Sequence, residues 1–452
     1  MLFSSLFGGD FLERAILSDL KTWKTKKDRK PMIIRGVRQC GKTYIIKEFG
    51  NTCFEDMAYF NFEESDTLKT VFDGDFDIPR ILFELSLKHG RKICPETTLL
   101  VFDEVQLCGR ALTALKYFCE NAPEYPIVCA GSLLGLALHE GSSFPVGKVD
   151  FLTMYPMSYF EFAAAKGEEV LAEWLHGVQF GAPFPPVAAE KARQCLLEYY
   201  LVGGMPASVK TWCETGDLFA VEAVQRGILS SYELDFAKHA PINDFPKLRA
   251  IWRSVPEQLS RENRKFIFSQ VKKGWRAKDL EDALEWLIAA GLVYKVRKIE
   301  KPFFPLSSYA DDTVFKLYAC DVGLLRNMAQ LPYEAVMGSS PFYTEFKGAM
   351  AENFVLSEFL NAGCRDVYYW TSGNQAEVDF ILQEKTCIVP AEVKAEANTR
   401  ARSLSVYRNQ YAPAVALKLS SVPEISGREV VKLPLYLAQR YSDFIRFSDT
   451  GA

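Results

Sequence analysis

The chain has 452 residues, with 57 Asp and Glu against 53 Lys and Arg, a net charge of −4, and 48% apolar against 24% charged residues. That length exceeds one ordinary core and predicts two to four domains, while 33 Phe and 20 Tyr predict well-filled cores. The slightly acidic balance does not advertise nucleic-acid binding by the chain as a whole and leaves it to local basic patches.

Residues 1–10, MLFSSLFGGD, are apolar but lack a basic leader and are soon interrupted by Gly8, Gly9 and Asp10. They are read as neither a signal peptide nor a membrane span, so no membrane partner is expected. The 11 cysteines include no C-x-x-C pair, which suits reduced thiols and a cytoplasmic location. The 4 histidines lie far apart and suggest no metal cluster. Residues 11–29 carry the period of an amphipathic helix that runs into a basic stretch, 21–30.

Residues 30–49 predict strand, glycine loop and helix. Met32, Ile33 and Ile34 form the strand; Gly36-Val37-Arg38-Gln39-Cys40-Gly41-Lys42-Thr43 has the spacing G-x-x-x-x-G-K-T; Tyr44, Ile45, Ile46 and Phe49 form a helical face. Gly36 and Gly41 let the backbone turn so that successive N–H groups form an anion nest at a helix N-terminus. ATP is thus the expected cofactor, held by Gly36, Arg38, Gln39, Cys40, Gly41, Lys42 and Thr43. Lys42 is assigned to the β- and γ-phosphates and Thr43 to Mg²⁺. The nest and Lys42 together favour a thiolate at Cys40, making it the thiol expected to be reactive.

A second strand is expected at Met57–Phe62, and helices at 79–89 and 110–121. Thr98 to Phe102 reads as a strand buried on both faces, delivering Asp103 and Glu104 at the carboxyl edge of a parallel sheet. Asp103 is assigned to Mg²⁺ and Glu104 to the attacking water. A third run, Ile127 to Ala130, ends at Gly131-Ser132; Ser132 is read either as a γ-phosphate or water contact or as a plain helix N-cap. A further strand falls within 143–158, Tyr159 opens a helical region, and 177–186 is a Gly/Pro-rich loop.

Residues 261–301 hold eleven Lys and Arg against six Asp and Glu, a net of +5 in an acidic chain. A helix over 276–290, stopped by Gly291, is followed by strands at Leu292–Arg297 and Thr313–Ala319, the pattern of a winged helix that contacts either duplex DNA or protein. In the last third a helix over 347–360 precedes a β-rich run at 367–370. A hairpin of 376–382 and 387–394 then brings Asp379 beside Glu392 and Lys394. With Glu352 from the helix, these residues form a candidate nuclease-like constellation in which acids hold Mg²⁺ and a lysine faces phosphate.

In these motifs, together with Ala130-Gly131-Ser132, Tyr155-Pro156-Met157-Ser158-Tyr159-Phe160-Glu161-Phe162, Gly203-Gly204-Met205-Pro206, Lys316 to Leu324 and Gly348 to Asn353, nearly the whole chain resembles the bacterial and archaeal AAA-type P-loop ATPases fused to a C-terminal domain of unknown function with a PD-(D/E)XK, restriction-endonuclease-like fold. The resemblance implies an α/β protein in three parts: a parallel-sheet ATPase domain at 1–165, a helical and winged-helix middle at 166–335, and a nuclease-like α/β domain at 336–452. Many relatives have Arg where Lys148 stands. The expected function is an ATP-driven, homo-oligomeric machine acting on DNA, with branched DNA such as Holliday junctions preferred by analogy and the C-terminal site gripping rather than cutting. The alternatives are a nucleotide-dependent switch for a protein partner, or a metal-dependent DNA nuclease.

Overall fold

The computed structural model describes residues 14–131, 145–241, 243–338, 344–373, 375–396 and 402–445. They form two compact units, one of residues 14–155 with 286–292, the other of 156–285 with 293 onward.

The first unit is built on five parallel strands in the order β2-β3-β4-β1-β5: β1 (Met32–Arg35), β2 (Asp56–Asn61), β3 (Thr98–Asp103), β4 (Ile127–Gly131) and β5 (Asp150–Thr153). Every residue of β3 and β4 is buried, as continuous apolar runs in a parallel sheet require. Helices Ile78–His89 and Gly109–Asn121 contribute Ile81, Leu85, Leu115 and Phe118 to one core with Phe60 and Phe102. Within it Phe62, Phe72 and Phe102 meet pairwise at centroid separations of 5.6 to 5.9 Å. Helix Lys42–Cys53 buries Ile45, Ile46 and Phe49, and Trp23 of helix Ile16–Lys24 lies 6.2 Å from Phe49.

The second unit joins a helical region to a seven-stranded sheet of order β12-β11-β10-β9-β8-β6-β7. Its strands are β6 (Val293–Ile299), β7 (Ala310–Ala319), β8 (Val367–Thr371), β9 (Glu377–Glu384), β10 (Cys387–Lys394), β11 (Ala416–Ser420) and β12 (Val430–Pro434). The β6–β7 pair expected as a wing is therefore not free-standing, because β6 also pairs in parallel with β8, Ile299 opposite Trp370. The boundary expected at 335 accordingly falls inside one unit, and its sheet takes strands from both sides of that position.

Three motifs of the sequence meet at one corner of this unit. Asp321, buried at the N-cap of helix Val322–Met328, accepts from Leu324 N at 2.8 Å and from Gly204 N at 2.6 Å. A Cβ at Gly204 would stand 2.1 Å from the Met157 carbonyl, whose residue in turn donates its N–H to Gly204 O at 2.7 Å. Only glycine allows that approach. Burial pushes the Asp321 carboxyl up to about 6, against the pull of its backbone donors.

Candidate nucleotide site

The phosphate loop joins β1 to helix Lys42–Cys53. Gly36 runs so close under the end of β5 that a Cβ there would lie 2.1 Å from Met154 O, and Gly41 closes the loop in the left-handed region at φ 99°. Gly41 offers the helix no side-chain cap and the first turn contains no acidic residue, so among the described residues neither supplies an anion to these N–H groups. The buried guanidinium of Arg14 holds the loop from outside, donating to Cys40 O at 2.9 Å and Tyr155 O at 2.7 Å. Lys42 Nζ donates to Gly36 O at 2.8 Å and Val37 O at 2.9 Å, folded onto the loop it must leave to reach a phosphate. Arg38 is half-buried and Gln39 exposed, with Gln39 also left-handed at φ 65°.

Cys40 corrects an expectation. Its thiol is fully buried, pointing at Met154 O 3.7 Å away beneath Gly36, where no solution reagent reaches it. It packs the loop's underside and is not a reactive site.

At the end of β3 the Thr43 hydroxyl donates to Asp103 Oδ2 at 2.9 Å, and the Tyr59 hydroxyl donates to the same oxygen. Burial first, then the neighbouring carboxylate, raises the Tyr59 pKa, so the phenol stays a donor. Glu104 follows in the left-handed region at φ 50°, its N–H bonded to Asp103 Oδ1 at 2.9 Å and its carboxylate held by the Gln106 amide. A non-glycine residue held there costs about 1–3 kcal/mol, a strain found where a side chain must be aimed. Thr43 and Asp103 thus set a hydroxyl and a carboxylate oxygen side by side, a donor set that fits Mg²⁺. Ser132 lies outside the described residues. Lys148 pairs with Glu120 at 2.9 Å.

The C-terminal residues come together differently from expectation. Glu352, on helix Thr344–Asn361, is buried and has its carboxylate engaged by Arg264, by Lys316 Nζ at 3.5 Å and by the Tyr318 hydroxyl at 2.8 Å. Lys316, wholly buried on β7, also reaches Glu377 at 2.6 Å. Asp379 accepts from Val393 N at 2.7 Å, and Lys394 Nζ stands 2.8 Å from Glu392. Burial works against the Lys394 ammonium, but Asp379 and Glu392 outweigh it and hold its pKa above the ordinary value. Among the described residues no group of three or more His, Cys, Asp or Glu is arranged to hold a metal. With cations already seated on Glu352, the cluster does not fit a nuclease metal and supports no cleavage step.

Tyr59, Arg14, Arg264 and Lys316 were not foreseen as site residues. Tyr59 had a signal in principle: with β2 beside β3, Asn61 pairs with Asp103, so a tyrosine two residues earlier shares its face. In the basic stretch, Arg297 pairs with Asp312 at 2.9 Å and Lys295 with Glu285 at 3.4 Å. Lys272, Lys273, Arg276 and Lys278 are exposed and make no ion pair among the described residues, and Lys272 lies over the Trp275 ring at 4.6 Å.

Comparison with protein families matches residues 28–163 to an AAA domain, 193–335 to a domain of unknown function (DUF8612) and 347–436 to another domain of unknown function (DUF4143). No curated protein matches the chain. Similar solved structures include a Walker-type ATPase of Pyrococcus abyssi, at 15% identity and TM-score 0.46, covering 71% of this chain and 96% of that one. They also include the Aeropyrum pernix ORC1 protein in complex with DNA, at 12% identity and TM-score 0.27, covering 71% and 92%. A third is Drosophila ORC bound to DNA, at 11% identity and TM-score 0.28, covering 70% and 93%. The region 28–163 thus matches an AAA domain and carries the parallel five-stranded sheet and the G-x-x-x-x-G-K-T loop of a P-loop fold.

Proposed function

We propose that the protein hydrolyses ATP and couples the cycle to DNA. The observation that carries the first part is the junction of the phosphate loop with β3, where Thr43 and Asp103 share a hydrogen bond and Glu104 stands next in the chain. The loop N–H groups and Lys42 bind and orient the phosphates; Thr43 and Asp103 would hold Mg²⁺; the Glu104 carboxylate takes the proton of the attacking water. The ion, when bound, supplies charge neutralisation on the β- and γ-phosphate oxygens. Gln106 steadies Glu104, and Tyr59 keeps Asp103 turned toward Thr43.

The DNA part is supported by Lys272, Lys273, Arg276 and Lys278, four exposed cations of which Lys272 lies over the Trp275 ring, a combination that suits a phosphate backbone. A homo-oligomer is part of this reading: many relatives have Arg where Lys148 stands, Lys148 is here paired with Glu120, and a neighbouring copy would supply a cation to the γ-phosphate. Phosphate release measured with no DNA, duplex and a four-way junction tests the reading. Turnover that rises with DNA, most with the junction, is expected; no turnover at all refutes the ATPase, and turnover indifferent to every nucleic acid refutes the DNA role.

A second reading, a nucleotide-dependent switch for a protein partner, is favoured by a cleft of about 920 Å³ along helix Ile78–His89, where Phe83 and Leu87 are 63% and 67% exposed. Retention of a partner that depends on ATP and is lost in Phe83→Ser would support it.

A further inference from the structure

The second unit carries an aromatic loop and a polar cavity that neither the nucleotide site nor the basic stretch uses. Residues 300–309 join β6 to β7, and in that connection Phe303 and Phe304 are 50% and 47% exposed. Phe303 is braced rather than loose: its ring stands 5.9 Å from Tyr309 and 6.2 Å from Tyr411, and Tyr411 lies 5.7 Å from the buried Trp370. Two consecutive phenyl rings thus keep about half their surface in water, where apolar area is costly. Exposed aromatic faces on a held loop are what unpaired bases stack on.

Pro305, next in the chain, enters the wall of a cavity of about 470 Å³, a volume in the range of small-ligand sites. Its lining is largely polar, with Ser307, Arg365, Asp366, Glu384, Lys385 and Tyr441 contributing. Tyr441 donates to Glu384 Oε2 at 3.0 Å, and its oxygen lies 2.9 Å from Cys364 Sγ. Burial pushes the Cys364 thiol up to about 11, so it stays neutral and the cavity is equipped to bind rather than to attack. Arg365 and Lys385 are exposed and make no ion pair among the described residues. Lys385 sits in the two-residue turn between β9 and β10 at φ 51°, a left-handed position where glycine or asparagine is the common choice, and this strained placement gives the cavity an ammonium group.

We propose that this cavity takes one unpaired nucleotide of a DNA strand, with Phe304 stacking on its base and Arg365 and Lys385 on the phosphates that flank it. Each part of a nucleotide then has a counterpart: ring for ring, cation for phosphate, and the Glu384 and Asp366 carboxylates as acceptors for the amino and imino groups of the base edge. The two acids repel a phosphate that comes alone, so they favour a ligand presenting N–H donors together with its phosphate. A blunt duplex keeps those donors inside its base pairs, and a strand with unpaired bases offers them. The assignment rests on the DNA coupling proposed above and narrows it to DNA with unpaired bases.

Fluorescence anisotropy of the full-length protein with one labelled oligonucleotide, as a single strand and as a blunt duplex, tests it. The single strand is expected to bind more tightly. Phe304→Ala should weaken single-strand binding by about 5- to 150-fold, the worth of one stacked base, and leave the duplex unchanged. Arg365→Gln with Lys385→Gln should lower the slope of log affinity against log salt for the single strand by roughly 1.4, about 0.7 for each phosphate contact. If wild type binds DNA and these variants lose nothing on the single strand, or lose equally on strand and duplex, the proposal is overturned while the DNA reading stands. Wild-type protein that binds neither form would refute both. Displacement of the strand by free deoxynucleoside monophosphates at equal nucleotide concentration would also overturn it, in favour of a small-molecule site.

Discussion

Glu358 offers a sharp test of how the second unit is held together. It lies fully buried on helix Thr344–Asn361, accepting one hydrogen bond, from Tyr159 N at 3.0 Å, while its Oε2 has no partner among the described residues. Burial raises its pKa to about 8, Tyr159 N pulling the other way and Glu161 adding to the rise. Because the folded pKa exceeds the unfolded value, the group's contribution to stability is fully present below about 4.5 and is lost as pH rises toward 8. The rate is ~1.4 kcal/mol per pH unit and the total roughly 5 kcal/mol, an order-of-magnitude figure. Glu358→Gln keeps the acceptor for Tyr159 but adds an amide group with no partner, at a cost of about 1–3 kcal/mol. The variant should therefore be no more stable than wild type below about pH 5, should overtake it between about pH 5 and 7, and should exceed it at pH 8. Thermal unfolding followed by tryptophan fluorescence at several pH values measures this, with ~2 °C expected per kcal/mol for a unit of this size. Asp321, raised to about 6, titrates in both proteins and cancels in the comparison. Parallel melting curves across pH 5 to 9 would refute the assignment of a buried, neutral Glu358.

Lys42→Ala removes the cation now resting on Gly36 O and Val37 O, and should weaken binding of a fluorescent ATP analogue by ~1.5–3 kcal/mol or more and abolish hydrolysis. Unchanged turnover would remove the basis of the nucleotide reading. Glu104→Gln retains an acceptor for Gln106 and should bind ATP while its single-turnover hydrolysis falls by roughly 10²–10⁴. Failure to bind ATP would show that Glu104 positions the nucleotide instead. Lys272→Ala with Lys273→Ala should lower DNA affinity about equally across sequences and reduce the slope of log affinity against log salt by roughly 2, read from fluorescence anisotropy. An unchanged slope in a protein that binds DNA would move the contact elsewhere.

Local chemistry was more legible in the sequence than contacts that depend on topology. The strand, loop and helix around Lys42 are neighbours in the chain with strict spacing, so one stretch suffices to read them. β10 was placed at Cys387–Lys394 because its turn and its alternation agree. Tyr59 and Asp103 are 44 residues apart and meet only because β2 and β3 are neighbours, which no periodicity reports. The reach of Arg264 to Glu352 is longer still. Cys40 was misjudged because the electrostatics of a phosphate loop were weighed without its packing under Met154. The β6–β7 pair has the same alternating pattern whether it ends in solvent or continues into a larger sheet, so its partner β8 was invisible.

That shared sheet makes a division at 335 physically costly, and a fragment of residues 1–335 puts a measurable consequence on it. Removing everything beyond Ala335 strips β8 from β6 along Arg297, Lys298 and Ile299 and takes Trp370 from the cluster that covers Ile299. It also removes Phe354, whose ring stands 5.6 Å from both Tyr199 and Tyr200 and 6.4 Å from Tyr159, exposing one face of the helical region. A buried aromatic of this kind contributes about 3–5 kcal/mol. Loss of Glu352 and Glu377 also leaves Lys316 without either of its carboxylate partners. Asn353, whose side-chain amide clamps the N–H and the carbonyl of Ala319 at 2.9 and 3.1 Å, goes as well. Against a typical domain stability of ~5–15 kcal/mol, these losses together take a large part. Residues 156–335 of the fragment should therefore be cut rapidly by protease and give no cooperative melting transition. A protease-resistant fragment that melts cooperatively across this region would show that 166–335 is a domain in its own right and that the seven-stranded sheet is not its source of stability.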